Sequence, residues 1–196
     1  MRRSHLILVA VTVLLAGSLL GGVLREARAD GPARSTKSAQ LAESGLALQE
    51  RARRTGDAAL YPAAERALSD AVRLDPANAT AVRGLAALAG SRHRFGEMLG
   101  LARRALALEP QSADVHGLLG DALLELGRYR EAFAAFDRLA ALKPSAGAYA
   151  RIAYARELRG DLDGALDAME LAIDSAAAGE PSALMRTLAA NLLVAA

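Results

Sequence analysis

Residues 72–76, 106–110 and 140–144 read VRLDP, LALEP and AALKP, which puts Pro76, Pro110 and Pro144 at equal steps of 34 residues. Tyr61, Phe95 and Tyr129 keep the same step, as do Leu74, Leu108 and Leu142. Columns in one register mark an internal repeat, and a unit of this length holds two short helices. Proline lacks an N–H and forces the preceding residue out of α geometry, so each of these prolines closes a second helix two residues upstream. The turn inside the unit falls at His93 or Gly127.

The composition agrees with an all-helical chain. Of 196 residues, 53% are apolar but only 4% aromatic, and alanine, leucine and arginine dominate. Strands favour β-branched and aromatic residues, so the composition argues against a sandwich or barrel. The chain has no cysteine, which removes disulfides, thiolate nucleophiles and Cys-ligated zinc.

Working outward, the third unit shows Leu119, Gly120, Leu123, Gly127, Tyr129, Ala132, Phe136 and Pro144. The second shows Val82, Leu85, Ala86, Phe95, Ala105 and Pro110, with Met98 where alanine and Ala102 where an aromatic is expected. The first shows Leu41, Gly45, Leu48, Ala64, Leu68, Ala71 and Pro76, with about seven extra residues between Glu50 and Leu60. The fourth shows Tyr149, Ile152, Ala153, Gly160, Ala165, Met169 and Ala172. This pattern resembles the tetratricopeptide repeat family. The resemblance covers roughly residues 38–196 and implies a right-handed α-solenoid whose concave face is lined mainly by the first helices. The small columns, Gly45, Ala86, Gly120 and Ala153 with Ala64, Ala132 and Ala165, let neighbouring helix backbones approach closely.

The expected organisation is a hydrophobic N-terminal segment over residues 1–29, a polar linker over 30–37 and a repeat domain over 38–196. The repeats fall at about 38–78, 79–112, 113–145 and 146–180, and residues 181–196 read as the first helix of a fifth unit. In the N-terminal segment Arg2 and Arg3 precede an uncharged run from Leu6 to Leu24. At 1.5 Å per residue that run spans about 28 Å as a helix, close to the bilayer hydrocarbon. It reads either as a single-pass anchor or as a cleaved export signal, since Ala27-Arg28-Ala29 has the small-x-small form of a cleavage site before Asp30. Both readings put the repeats outside the cytoplasm.

The formal charge of +2 owes much to this segment. From Asp30 onward 20 basic residues face 21 acidic ones. A balanced body with few aromatics speaks against nucleic-acid binding. The three histidines lack metal-ligand spacing, and Ser112 reads as a helix cap rather than a nucleophile. The expectation is therefore a non-enzymatic protein without a cofactor or metal. Asn78-Ala79-Thr80 has the form of a glycosylation acceptor but lies in a tight turn between units.

The family resemblance maps ligand-facing positions onto Thr80, Arg83 and Ala87, onto Asp114, Gly117, Asp121, Leu124 and Glu125, and onto Ala150, Tyr154 and Glu157. The resulting candidate groove, led by Arg83, Asp114, Asp121, Leu124, Glu125, Tyr154 and Glu157, has a mainly acidic floor. A basic or mixed basic-apolar peptide or protein segment is the ligand expected of it, and Arg83 is the only fragment of the basic clamp that some members use for a C-terminal carboxylate. Two functions follow: an interaction scaffold acting outside the cytoplasm, or a structural element that self-associates through the apolar segment 181–196. The weak polar face of that segment also fits a chain cut from a longer array.

Overall fold

The computed structural model describes residues 33–176, which form eight helices and no strand among the described residues. The first, α1, runs over 33–55. It is followed by α2 (Tyr61–Leu74), α3 (Ala79–Ser91), α4 (Phe95–Leu108), α5 (Ala113–Glu125), α6 (Tyr129–Leu142), α7 (Ala146–Glu157) and α8 (Leu162–Ser175). The boundaries repeat the 34-residue register of the prolines. One boundary differs from the sequence reading: residues 33–37, read as linker, already belong to α1. The extra residues of the first unit lengthen that helix, to residue 55, before a short 3-10 turn at Ala58–Leu60. The hydrophobic run Leu6–Leu24, the cleavage motif and residues 181–196 lie outside the described residues. Among the described residues no helix is long and apolar enough to cross a membrane.

Local chemistry sets each helix end. The Asn78 side chain accepts from the Ala81 N–H at 2.9 Å, and Asp161 does the same for Gly164 at 3.1 Å. Such caps satisfy N–H groups that have no partner within the helix. Ser112 holds the cap position of α5 as expected, but its side chain makes no capping hydrogen bond. Within the units, α3 closes with the Arg94 N–H on the Ala89 carbonyl and the His93 N–H on Gly90, and α5 closes in the same way at Gly127 and Arg128. This closure needs one residue with positive φ. Gly127 (φ 72°) and Gly160 (φ 75°) supply it, and His93 adopts it at φ 56°.

Each second helix packs against its own first helix and against the first helix of the next unit: α3 on α4, α4 on α5, α5 on α6, and so on to α8. First helices also touch one another directly, α3 with α5 and α5 with α7. No comparable contact joins α4 to α6 among the described residues. The first helices therefore form the inner, concave layer of the stack.

The small columns work as close-approach points. A Cβ on Gly45 would lie 2.6 Å from Leu68 Cγ, and one on Gly120 would run into the Phe136 ring. Leu68 and Phe136 are themselves fully buried. A glycine on the first helix thus receives a large side chain from the second. The departure seen at Met98 obeys the same rule. Met98 is buried with its sulfur against Gly90, where a Cβ would lie 2.9 Å away. One unit later the same two positions hold Ala132 and Leu124, so the large residue has changed helix. Total volume is conserved while its source moves, which well-packed interiors tolerate best.

The turn between the first two units is fixed by a buried polar link. Ser38, fully buried, donates to the Ala71 carbonyl at 2.8 Å and accepts from the Asn78 amide at 2.8 Å. With its oxygen on Ala81 and its nitrogen on Ser38, the Asn78 amide is engaged at both ends.

Candidate docking groove

Two adjoining cavities open along the inner faces of α1, α3, α5 and α7. The larger, about 410 Å³, has an apolar and small-residue floor including Leu46, Gly84, Ala87, Gly117, Leu118 and Leu139. Its charged lining is Arg53, Arg83, Asp114, Lys143 and Arg151. The smaller, about 360 Å³, is lined by Gln49, Ser91, Phe95, Met98, Asp121 and Glu125, among others. Arg53, Ala87 and Leu118 belong to both, so the two form one channel.

Each cation of the channel is held by an acid. Arg151 forks onto Asp121, from Nε at 2.8 Å and Nη2 at 3.1 Å, and also donates from Nη1 to the Gly147 carbonyl at 3.0 Å. That fork ties α7 to α5 across the groove. Arg83 reaches Glu109 at 3.2 Å, Arg53 reaches Glu50 at 2.7 Å, and Lys143 stands 3.8 Å from Asp114. These pairs are partly or largely exposed, so they orient side chains more than they stabilise the fold. On the outer side, Arg128 forks onto Glu131. The hydrogen bonds hold the Glu131 carboxyl below, and the Arg128 guanidinium above, their ordinary pKa values.

The structure brings together part of the expected site. Arg83, Ala87, Asp114 and Gly117 line the larger cavity, and Asp121 and Glu125 the smaller. Thr80, Ala150, Tyr154 and Glu157 line neither cavity; Tyr154 and Glu157 are exposed beyond the channel. Leu124 is buried in the core and lines neither cavity. The expected acidic floor is corrected as well. Four of the five charged side chains lining the larger cavity are cations, and Asp121 already carries Arg151. Arg53 and Lys143 were missed because they come from the added length of α1 and the end of α6, outside the positions the family pattern maps. Arg151 was missed by one residue: it follows Ala150, on the helix face shared by Gly84 and Leu118 in the preceding units.

No group of three or more histidine, aspartate or glutamate side chains among the described residues is placed to hold a metal ion. A further cavity of about 410 Å³ opens on the side of the second helices, lined by Leu106, Leu119, Leu123 and Ala134 with Arg103, His116 and Glu131.

A stack of two-helix units with an inner channel defines the helical-repeat solenoids as a class. Within it, residues 91–147 and 120–181 match the family model of the tetratricopeptide repeat. Solved structures share the fold. Pseudomonas aeruginosa pilF aligns over 83% of this chain and 70% of its own, at 21% identity and a TM-score of 0.69. An O-GlcNAc transferase of Thermobaculum terrenum aligns over 68% of this chain but only 26% of its own, at 27% identity and a TM-score of 0.58. YrrB, described as a TPR protein with an unusual peptide-binding site, aligns over 63% of this chain and 64% of its own, at 21% identity and a TM-score of 0.52. No curated protein gives a significant match.

Proposed function

We propose that the protein is a non-catalytic scaffold that docks an extended peptide, or a segment of another protein, in the concave channel. One observation carries this reading: the two cavities share Arg53, Ala87 and Leu118 and so run unbroken across the inner faces of four successive first helices. A continuous channel with an apolar floor and charged rims suits an extended chain better than a compact small molecule. The described peptide-binding site of YrrB supports the same use of the fold. Ala87, half-buried at the junction of the cavities, offers the test. Ala87→Trp is expected to lower recovery of the native partner at least about tenfold, a change of about 1.4 kcal/mol, with helix content and melting unchanged. Full recovery by the variant would move the interaction to another surface.

The scaffold is placed outside the cytoplasm, on the strength of Arg2 and Arg3 ahead of the run Leu6–Leu24. The intact mass of protein taken from the cell envelope should show either a start at Asp30 or an uncleaved chain that needs detergent. Soluble, uncleaved protein in the cytoplasm would contradict this placement. Self-association through residues 181–196 is the second reading, favoured by the exposure of Leu158 and Leu171 in the last described unit. Concentration-dependent sedimentation of the purified chain would select it, and a monomer at all concentrations would remove it.

A further inference from the structure

We infer that the segment docked in the channel is acidic, with carboxylates alternating with apolar side chains. The inference rests on the docking function proposed above and names its ligand. The larger cavity presents Arg53, Arg83, Lys143 and Arg151 against a single acid, Asp114. The acids that hold Arg53 and Arg83, Glu50 and Glu109, are not among the residues lining it. The cationic ends of these pairs are therefore the ones presented to the cavity.

The cations also keep hydrogen-bonding capacity. A guanidinium has five N–H groups. Arg83 uses one of them on Glu109, leaving the planar fork that matches a carboxylate in two parallel bonds. Lys143, 3.8 Å from Asp114, is held by charge without a hydrogen bond to it, so its ammonium can turn to a ligand. Arg151, committed to Asp121 and to the Gly147 carbonyl, forms a fixed wall.

The floor leaves room for a chain. A Cβ on Gly117 would meet Leu139 at 3.6 Å and one on Gly147 would meet Arg151 at 3.6 Å, both ordinary contacts. Packing therefore does not require glycine at either place, and the missing side chains leave open space. Leu46, Leu118 and Leu139 supply apolar contact beside it. In the adjoining cavity the buried Gln49 side chain is among the lining residues. An amide both donates and accepts, so it suits a ligand's peptide backbone.

The test is fluorescence anisotropy of the full chain in mild detergent with three labelled peptides of equal length, alternating leucine with glutamate, serine or lysine. The glutamate peptide is expected to bind at least about tenfold tighter than the lysine peptide, with serine between them. Raising salt to about 0.5 M should weaken the glutamate peptide several-fold. Arg83→Glu with Lys143→Glu should reverse the ranking, and the wild-type ranking stands as a test even where that variant folds poorly. A lysine peptide that binds as tightly as the glutamate one, yet is lost in Ala87→Trp, would overturn the acidic ligand and leave the groove in place. Glutamate-peptide binding that ignores both Ala87→Trp and the charge reversal would overturn the groove itself. Failure of all three peptides to bind would overturn the acidic ligand.

Discussion

Truncating Phe136 to alanine is expected to cost about 3–5 kcal/mol, the range for removing a fully buried aromatic. Phe136 is completely shielded from solvent, and its ring lies over Gly120 on the neighbouring helix. No side chain at Gly120 can relax into the space the ring leaves, so the cavity persists and the cost falls toward the upper end. The position is also in the middle of the array, where α6 packs against both α5 and α7. In a stack whose units contact only their neighbours, damage to one interface weakens the units on both sides of it. Urea denaturation of the full chain in mild detergent should therefore show a lowered midpoint, and hydrogen exchange should quicken in α5 and α7 as well as in α6. A loss below about 1 kcal/mol, or exchange that changes in α6 alone, would contradict this packing.

Ala132→Arg carries a comparable penalty for a different reason. Ala132 is fully buried in the small-residue column of second helices. Arginine there adds volume to a filled interior, at about 1–3 kcal/mol, and buries a charge without a partner, which together amount to at least about 3 kcal/mol. Ala134 is the control, since it lies two residues along the same helix and is exposed beside the outer cavity. Ala134→Arg should shift the midpoint by less than about 0.5 kcal/mol. Equal effects at the two alanines would mean that α6 is rotated relative to this register. Arg128 would be a poor control, because its fork to Glu131 couples it to the start of α6.

Much of the fold was legible because the repeat leaves its mark where backbones approach. Gly45, Gly120, Ala132 and Ala153 could be assigned to packing columns from the family pattern, and they lie at or beside the buried contacts. Prolines and turn glycines marked the helix ends, since both act through the local backbone. Harder to read was which helix supplies volume at a contact. Met98 and Ala102 looked like irregularities, yet Met98 fills the space left by Gly90. Leu124, at a position the family pattern maps to the groove, serves the core.

The groove was legible in outline and misread in charge. Arg83, Asp114, Asp121 and Glu125 line the channel, since the first-helix face that carries them is set by the repeat. Its sign was not, because charge depends on residues the repeat does not place. Arg53 comes from the added turns of α1, Lys143 from the end of α6, and Arg151 from the next position around α7. Pairing then changed what the acids offer. Asp121 alone is an anion facing the channel, whereas Asp121 forked by Arg151 is a strut between two helices.

Site-specific photo-crosslinking in the native cell tests the central claim most directly, with the crosslinking residue placed at Ala87 in the channel or at Ala134 on the outer side. The account predicts an adduct between the chain and its partner at Ala87 and none at Ala134. An adduct at Ala134 with none at Ala87 would show that the partner is held on the second-helix face, and would contradict a docking function for the concave channel.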